Sequence, residues 1–199
     1  MSTVVMHNVV SVDGFIADAN DDVGPLFEWY FNGDVPLTAG AMDDPAPGGM
    51  RISQVSHDYI RPTWDGIGAT VIGRHLFDIT NGWEGRPPAG EHVVVVSHRP
   101  VPDGWHPEAS YFFVEDVAQA IAKAKELAGE RTVAVAAGDV GGQAFALGLV
   151  DEVAMDVAPV VLGSGKRYFG SVDTQHLLED PHTVIQGDRV LHLRYRVRR

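Results

Sequence analysis

The chain has 199 residues, 45% of them hydrophobic and 21% charged, with no cysteine and a formal net charge of -12. That length sustains one domain with a full core, the acidity excludes a duplex nucleic-acid binder, which needs a basic face, and no apolar run approaches the roughly 18 residues of a membrane span. The absence of cysteine excludes disulfides, thiolate metal sites, iron-sulfur clusters and a cysteine nucleophile.

The chain enters a nearly continuous apolar run at once: Val4, Val5, Met6, His7, Asn8, Val9, Val10. This is the pattern of a strand covered on both faces. No basic start or apolar leader precedes it, so a cytoplasmic location is expected. The run leads into Ser11-Val12-Asp13-Gly14-Phe15-Ile16-Ala17, where Gly14 permits a tight turn and Asp13 can accept from backbone amides. Residues 23–62 read differently, with the aromatic group Phe27, Trp29, Tyr30, Phe31 and the turn-rich "AMDDPAPGGM". They are expected to be a long excursion over the sheet edge, a lid on a single domain spanning 1–199.

A second strand, Thr70-Val71-Ile72, stops at Gly73 and is followed by the cationic Arg74 and the titratable His75. A third, His92-Val93-Val94-Val95-Val96, ends in Ser97-His98-Arg99. Val117, Ala120, Ile121, Ala124 and Leu127 share one helical stripe that Gly129 terminates. The strand Thr132-Val133-Ala134-Val135-Ala136 then turns through Ala137-Gly138-Asp139-Val140-Gly141 into a short helix carrying Gln143, Phe145 and Leu147. A further strand runs through Glu152, Val153, Ala154, Met155, Asp156 and Val157. Strands alternating with helices predict an α/β sheet covered on both sides. At the C-terminus Leu191, Leu193, Tyr195 and Val197 alternate with His192, Arg194 and Arg196 after a Gly187-Asp188 turn, the pattern of an antiparallel hairpin, so the sheet is mixed. His182 and His192 are expected on exposed hairpin faces, and the four arginines among the last six residues on a solvated edge. The nine histidines carry no metal-ligand spacing, and no metal is implied.

Four strand ends carry small or cationic residues, and open α/β sheets bind ligands along their strand ends. A glycine there lets backbone approach a ligand, and a helix that opens there favours an anion. In an acidic chain any anionic ligand has to be held by such a local cluster.

The segments "SVDGFIA", "VIGRHLFD", "VVVVSHRP" and "AAGDVGGQAFALGLVDEVAMDVAPVVLGSGKRYF" occur in the order and spacing of the dihydrofolate-reductase-like superfamily. The chain most resembles the branch shared with the C-terminal reductase domain of riboflavin biosynthesis. The resemblance implies a three-layer α/β/α sandwich with a mixed, mostly parallel central sheet, an NADPH cofactor along the strand ends, and hydride transfer to a pterin, flavin precursor or related heterocycle. By the same resemblance Gly73, Arg74 and His75 approach the cofactor phosphates, and Ser97, His98 and Arg99 surround its adenosine ribose. Val9, Ile16 and Ala17 would lie beside the nicotinamide, and Gly138, Asp139, Val140 and Gly141 at the pyrophosphate. Glu28 matches by order the carboxylate that assists protonation in folate reductases, with Asp13 as the other candidate proton source and Trp29 and Tyr30 as stacking platforms for the substrate ring. Two departures mark the chain: Ala136-Ala137 precedes Gly138 where many relatives place a Gly-Gly pair, and Asp43-Asp44-Pro45 precedes the Val71-Ile72 strand where the riboflavin reductases carry such a run after it. A 5-amino-6-(5-phosphoribosylamino)uracil reductase and a nucleotide-binding module without turnover are therefore the alternatives. The branch and the apolar face of the last strand together imply a homodimer.

Overall fold

The computed structural model describes residues 2–38 and 49–198. Its principal elements are β1 (Val4–Ser11), β2 (Phe15–Ala17), a 3-10 helix (Gly24–Phe31), β3 (Val35–Pro36), β4 (Arg51–Ile52), α1 (Gln54–Asp65), β5 (Ile67–Gly73), α2 (Arg74–Thr80), β6 (His92–Val96), β7 (Tyr111–Val114), α3 (Val117–Ala128), β8 (Thr132–Ala136), α4 (Asp139–Ala146), β9 (Glu152–Ala158), β10 (Lys166–Arg167), β11 (Thr183–Gly187) and β12 (Val190–Arg196). Eight strands form one sheet in the order β11-β12-β9-β1-β8-β5-β6-β7. From β9 to β7 every neighbour is parallel, whereas β12 runs antiparallel to β9, and β11 to β12. The expected α/β fold, with a mixed, mostly parallel central sheet and a C-terminal antiparallel hairpin, is thus the one found.

Period-2 alternation inside the apolar strands decides which helix each residue meets. Val4, Met6 and Val10 face the layer of α3 and α4, in a cluster with Val71, Val133, Val153, Ala120, Ile121 and Phe145. Val9 and Ala158 face the other layer, where Leu26, Trp29 and Tyr30 of the 3-10 helix and Ile60 and Trp64 of α1 pack. The α3 stripe is fixed at its start by the Asp116 carboxylate, which accepts from the Gln119 N–H at 2.8 Å, and stopped at Gly129 with φ +63.

The expected lid is here two packed segments. The 3-10 helix and α1 bury Trp29, Tyr30, Ile60 and Trp64 against the sheet, because the aromatic and aliphatic side chains of this stretch gain more by covering the open sheet face than by standing over its edge. Residues 39–48, which include Asp43-Asp44-Pro45, lie outside the described residues. Helix α1 begins at Ser53, whose side chain accepts from the Ser56 N–H, and its buried stripe is Ser56, Ile60, Trp64. A serine in that stripe needs a polar partner across the layer, and the partner is His192. His192 is wholly buried rather than exposed on the hairpin.

Candidate active site

Because β1, β8, β5 and β6 are adjacent and parallel, their C-terminal ends form one edge, about 14 Å between the outer two at normal strand spacing. Gly138 stands at the β8 end with φ +96 and ψ -148, a conformation that only glycine takes without strain. A Cβ there would lie 3.3 Å from Ile16 Cδ1, and a Cβ on Gly73 would lie 3.1 Å from Val140 Cγ2. Ile16, Gly138, Val140 and Gly73 are therefore brought together at one place, while Ala17 is buried in the β2 and β10 pair beside them. Ala136 and Ala137 pack against apolar clusters, and the turn itself falls to Gly138. Gly141 serves packing: a Cβ there would come within 2.6 Å of the Ala136 carbonyl oxygen and 2.7 Å of Met6 Sδ. Asp139 is exposed, and Val9 presents backbone only, its side chain being core.

The cations gather at the neighbouring β5 and β6 ends, but they are not equivalent. Arg74 donates from Nε to Asp78 at 2.7 Å, and from Nη1 to Ser97 Oγ at 3.2 Å and to the carbonyls of Arg99 at 3.1 Å and Pro100 at 2.9 Å. It also lies over the Phe77 and Phe113 rings. Arg74 is thus a staple between two strand ends. Arg99 is far more exposed and meets Asp78 at 2.5 Å. Hydrogen bonding from Arg74 and Arg99 outweighs partial desolvation and holds the Asp78 carboxyl below its ordinary range. His98 is exposed beside them, and His75 pairs with Asp21 at 2.9 Å. Arg99 and His98 are the groups with room to meet a phosphate. The glycine turn and this cationic end together match what a dinucleotide phosphate chain requires of an edge.

The expected proton sources are placed elsewhere. Asp13 accepts from Ser11 Oγ at 2.6 Å and from the Gly163 and Leu162 amides at 2.7 and 3.1 Å, bonds that hold its carboxyl low and ionised. It clamps the β1 turn to the loop after β9. Glu28 projects into solvent, 3.1 Å from Arg189. Trp29 and Tyr30 stack on each other at a centroid distance of 3.9 Å inside the core, so neither presents a free ring face. Successive residues of a 3-10 helix point about 120° apart, which is why Glu28 is exposed while Trp29 is not.

A polar system that the sequence reading passed over lies under α1. Asp156, 1% exposed, accepts from both His7 Nε2 at 2.8 Å and His192 Nδ1 at 2.6 Å, and His192 Nε2 meets Ser56 Oγ at 2.9 Å. Burial acts to raise the Asp156 carboxyl, but the two imidazoles overcome it and hold the group well below the usual carboxylate range. A cavity of about 270 Å³ opens beside this network, lined by His7, Tyr59, Ile60, Trp64, Ala154 and Arg194 among others. Burial and the Asp156 charge push the Tyr59 hydroxyl up to about 12. Arg194 spends Nη2 on Glu152 at 2.7 Å, while its buried Nε has no hydrogen-bond partner among the described residues. Part of the signal was present in the sequence: His7 and Asp156 stand within largely apolar strand runs, whereas His192 shares its alternation with Arg194 and Arg196.

The family described as the RibD C-terminal domain matches residues 2–191. Among solved structures, the chain is similar to a protein assigned to riboflavin biosynthesis from Shewanella sp. PV-4, at 19% identity and TM-score 0.67 over all of both chains. It is similar to a diaminohydroxyphosphoribosylaminopyrimidine deaminase/5-amino-6-(5-phosphoribosylamino)uracil reductase from Thermotoga maritima, at 13% identity and TM-score 0.64. That match covers 99% of this chain and 57% of the other, so the chain spans little more than half the length of the two-activity protein. Dihydrofolate reductase from Enterococcus faecalis, in complex with NADP(H), matches at 13% identity and TM-score 0.59, over 99% of this chain and 97% of that one. No curated protein matches in sequence.

Proposed function

The chain belongs to the RibD C-terminal domain family, and from that premise we propose that it is an NADPH-dependent reductase of a flat nitrogen heterocycle of the pyrimidine, pterin or flavin-precursor kind. The observation that carries the reading is the meeting of Gly138, Ile16, Gly73 and Val140 at one strand edge, next to Arg99 and His98. When bound, NADPH supplies the hydride. The residues of the chain do the rest: Gly138 admits the pyrophosphate to the backbone, Ile16 and Ala17 wall the nicotinamide end, and Arg99 with His98 meets the 2'-phosphate. Arg74 acts through Ser97 and Asp78, holding the β5 and β6 ends at fixed separation.

A 5-amino-6-(5-phosphoribosylamino)uracil reductase, the second activity in the name of the Thermotoga protein, is the alternative within the same reaction class, and a nucleotide-binding module without turnover is the alternative outside it. A homodimer fits the half-buried outer face of β12, formed by Leu191, Leu193 and Tyr195. Titration with NADPH and NADH, followed by NADPH oxidation with a panel of pyrimidines and pterins, tests the reading. Tight NADPH binding with ring-dependent oxidation is expected, binding without oxidation supports the module, and absence of NADPH binding overturns the proposal.

A further inference from the structure

Helix α2 places a carboxylate among the cations of the cofactor edge. Asp78 follows Arg74 by four residues, so the two share one face of the helix, and Asp78 Oδ1 accepts from Arg74 Nε at 2.7 Å. Its other oxygen, Oδ2, reaches the loop that follows the neighbouring strand β6 and accepts from Arg99 Nη2 at 2.5 Å. Hydrogen bonds from Arg74 and then Arg99 hold this carboxyl below its ordinary range, so it is ionised at neutral pH. The two guanidiniums differ in what they have left to offer. Arg74 commits Nε to Asp78 and Nη1 to Ser97 Oγ and two carbonyls. Arg99 stands in the open, with its side chain 64% exposed and that of Asp78 37% exposed. A phosphate arriving at this end of the edge therefore meets Arg99 and the carboxylate together.

We propose that Asp78 is the specificity-determining residue of this edge: its carboxylate opposes a 2'-phosphate and tolerates a 2'-hydroxyl, and so narrows the preference for NADPH over NADH. The proposal rests on the reductase reading, within which Arg99 meets the 2'-phosphate. A guanidinium holds phosphate best through its fork of two parallel N–H donors. With Nη2 spent on Asp78, the phosphate either settles for the remaining donors or displaces the carboxylate. In both cases two anions crowd one guanidinium, at a separation inside the roughly 8 Å over which physiological salt screens charge. A ribose hydroxyl meets no such repulsion, because it carries no charge and can itself donate to a carboxylate oxygen. Discrimination between partners by a built-in repulsive group is a general device of binding sites. Asp78 exerts it through Arg99, while its bond to Arg74 keeps it in place.

Calorimetric titration of the intact protein with NADPH and NADH, which differ only in the 2'-phosphate, tests the proposal. Asp78→Asn keeps an oxygen for Arg74 Nε and removes the charge. At low ionic strength it should bind NADPH about tenfold more tightly, the scale of repulsion between a carboxylate and a phosphate dianion a few ångströms apart in water, and NADH no more tightly. Adenosine 2',5'-bisphosphate should show the same gain, which places the effect at the phosphate rather than at the nicotinamide. Asp78→Ser, a second neutral replacement, should widen the ratio in the same direction, and Asp78→Glu, which keeps the charge, should leave it narrow. The gain should shrink in about 1 M salt, where screening acts over about 3 Å, and should vanish when Arg99→Gln is added to Asp78→Asn. Folded neutral variants with the wild-type ratio, or with equal shifts for both cofactors, overturn the proposal. A ratio that narrows also overturns it, because Asp78 would then be orienting Arg99 for the phosphate. Absence of binding of either cofactor to the wild type removes the reductase reading and the proposal with it, whereas binding with an unchanged ratio removes the proposal alone.

Discussion

His192 Nδ1 lies 2.6 Å from Asp156 Oδ1, and both side chains are withdrawn from solvent, at 0% and 1% exposure. A buried charge is tolerated only while it is paired. Replacing Asp156 by Asn keeps the shape and removes the charge that orders two imidazoles. The expected loss is about 3–5 kcal/mol, the scale for breaking one side of a buried pair, measured by urea unfolding at neutral pH.

The same carboxyl sets an acid limit. Its native pKa lies below the unfolded value of about 3.9, so its contribution is complete above that value and is lost as pH falls from there through the native pKa. Stability against urea should therefore decline below about pH 4, and in Asp156→Asn that part of the decline should be missing. An unchanged acid limb in the variant would place the acid sensitivity in other carboxylates.

Arg74 and Arg99 should separate by readout. Arg74→Ala removes a staple with four acceptors and should cost about 2 kcal/mol, or roughly 4–8 °C in Tm for a chain of this size. Arg99→Ala should leave Tm nearly unchanged and weaken NADPH about 10- to 100-fold, the scale of a charged hydrogen bond, with NADH unaffected. Equal loss for both cofactors would show that Arg99 does not meet the 2'-phosphate.

Gly138→Ala puts a methyl group 3.3 Å from Ile16 Cδ1 in a left-handed backbone. The strain should cost about 1–3 kcal/mol, and NADPH and NADH should weaken together, because the turn serves the pyrophosphate that both carry. Differential scanning fluorimetry and a fluorescence titration measure the two effects.

Glu28→Gln breaks only an exposed pair with Arg189, the two side chains being 56% and 51% exposed. Stability should change by less than about 0.5 kcal/mol, and turnover with any active ring should match the wild type. A large fall in turnover would return Glu28 to the proton step.

The sequence made the sheet legible where apolar runs were long, as in β1, β6, β8 and β9, and made α3 legible through its stripe and its terminal glycine. Glycines and cations at strand ends likewise pointed to the edge that gathers Gly73, Gly138 and Arg99. Helix α1 was missed because its inward stripe begins with Ser56 and its interior holds Pro62, which together erase the apolar period. Trp29 and Tyr30 resembled a substrate platform because aromatic composition is the same for a lid and for a core layer, and only burial tells them apart. His7 and Asp156 are 149 positions apart and Asp156 and His192 another 36, and no local pattern in any of the three strands names the other two.

That separation governs how the chain is made. β1 occupies the middle of the sheet, yet its neighbours β8 and β9 follow it by well over half the chain, and Ser56 finds His192 only 136 positions later. During synthesis the first strand must wait, with both edges unpaired, until most of the polypeptide has emerged, and Asp156 acquires its second imidazole only when the final hairpin arrives. Such non-local pairing makes folding slow and leaves open strand edges exposed to neighbouring chains. Added chaperones and a lower translation temperature are therefore expected to raise the yield of folded protein in a cell.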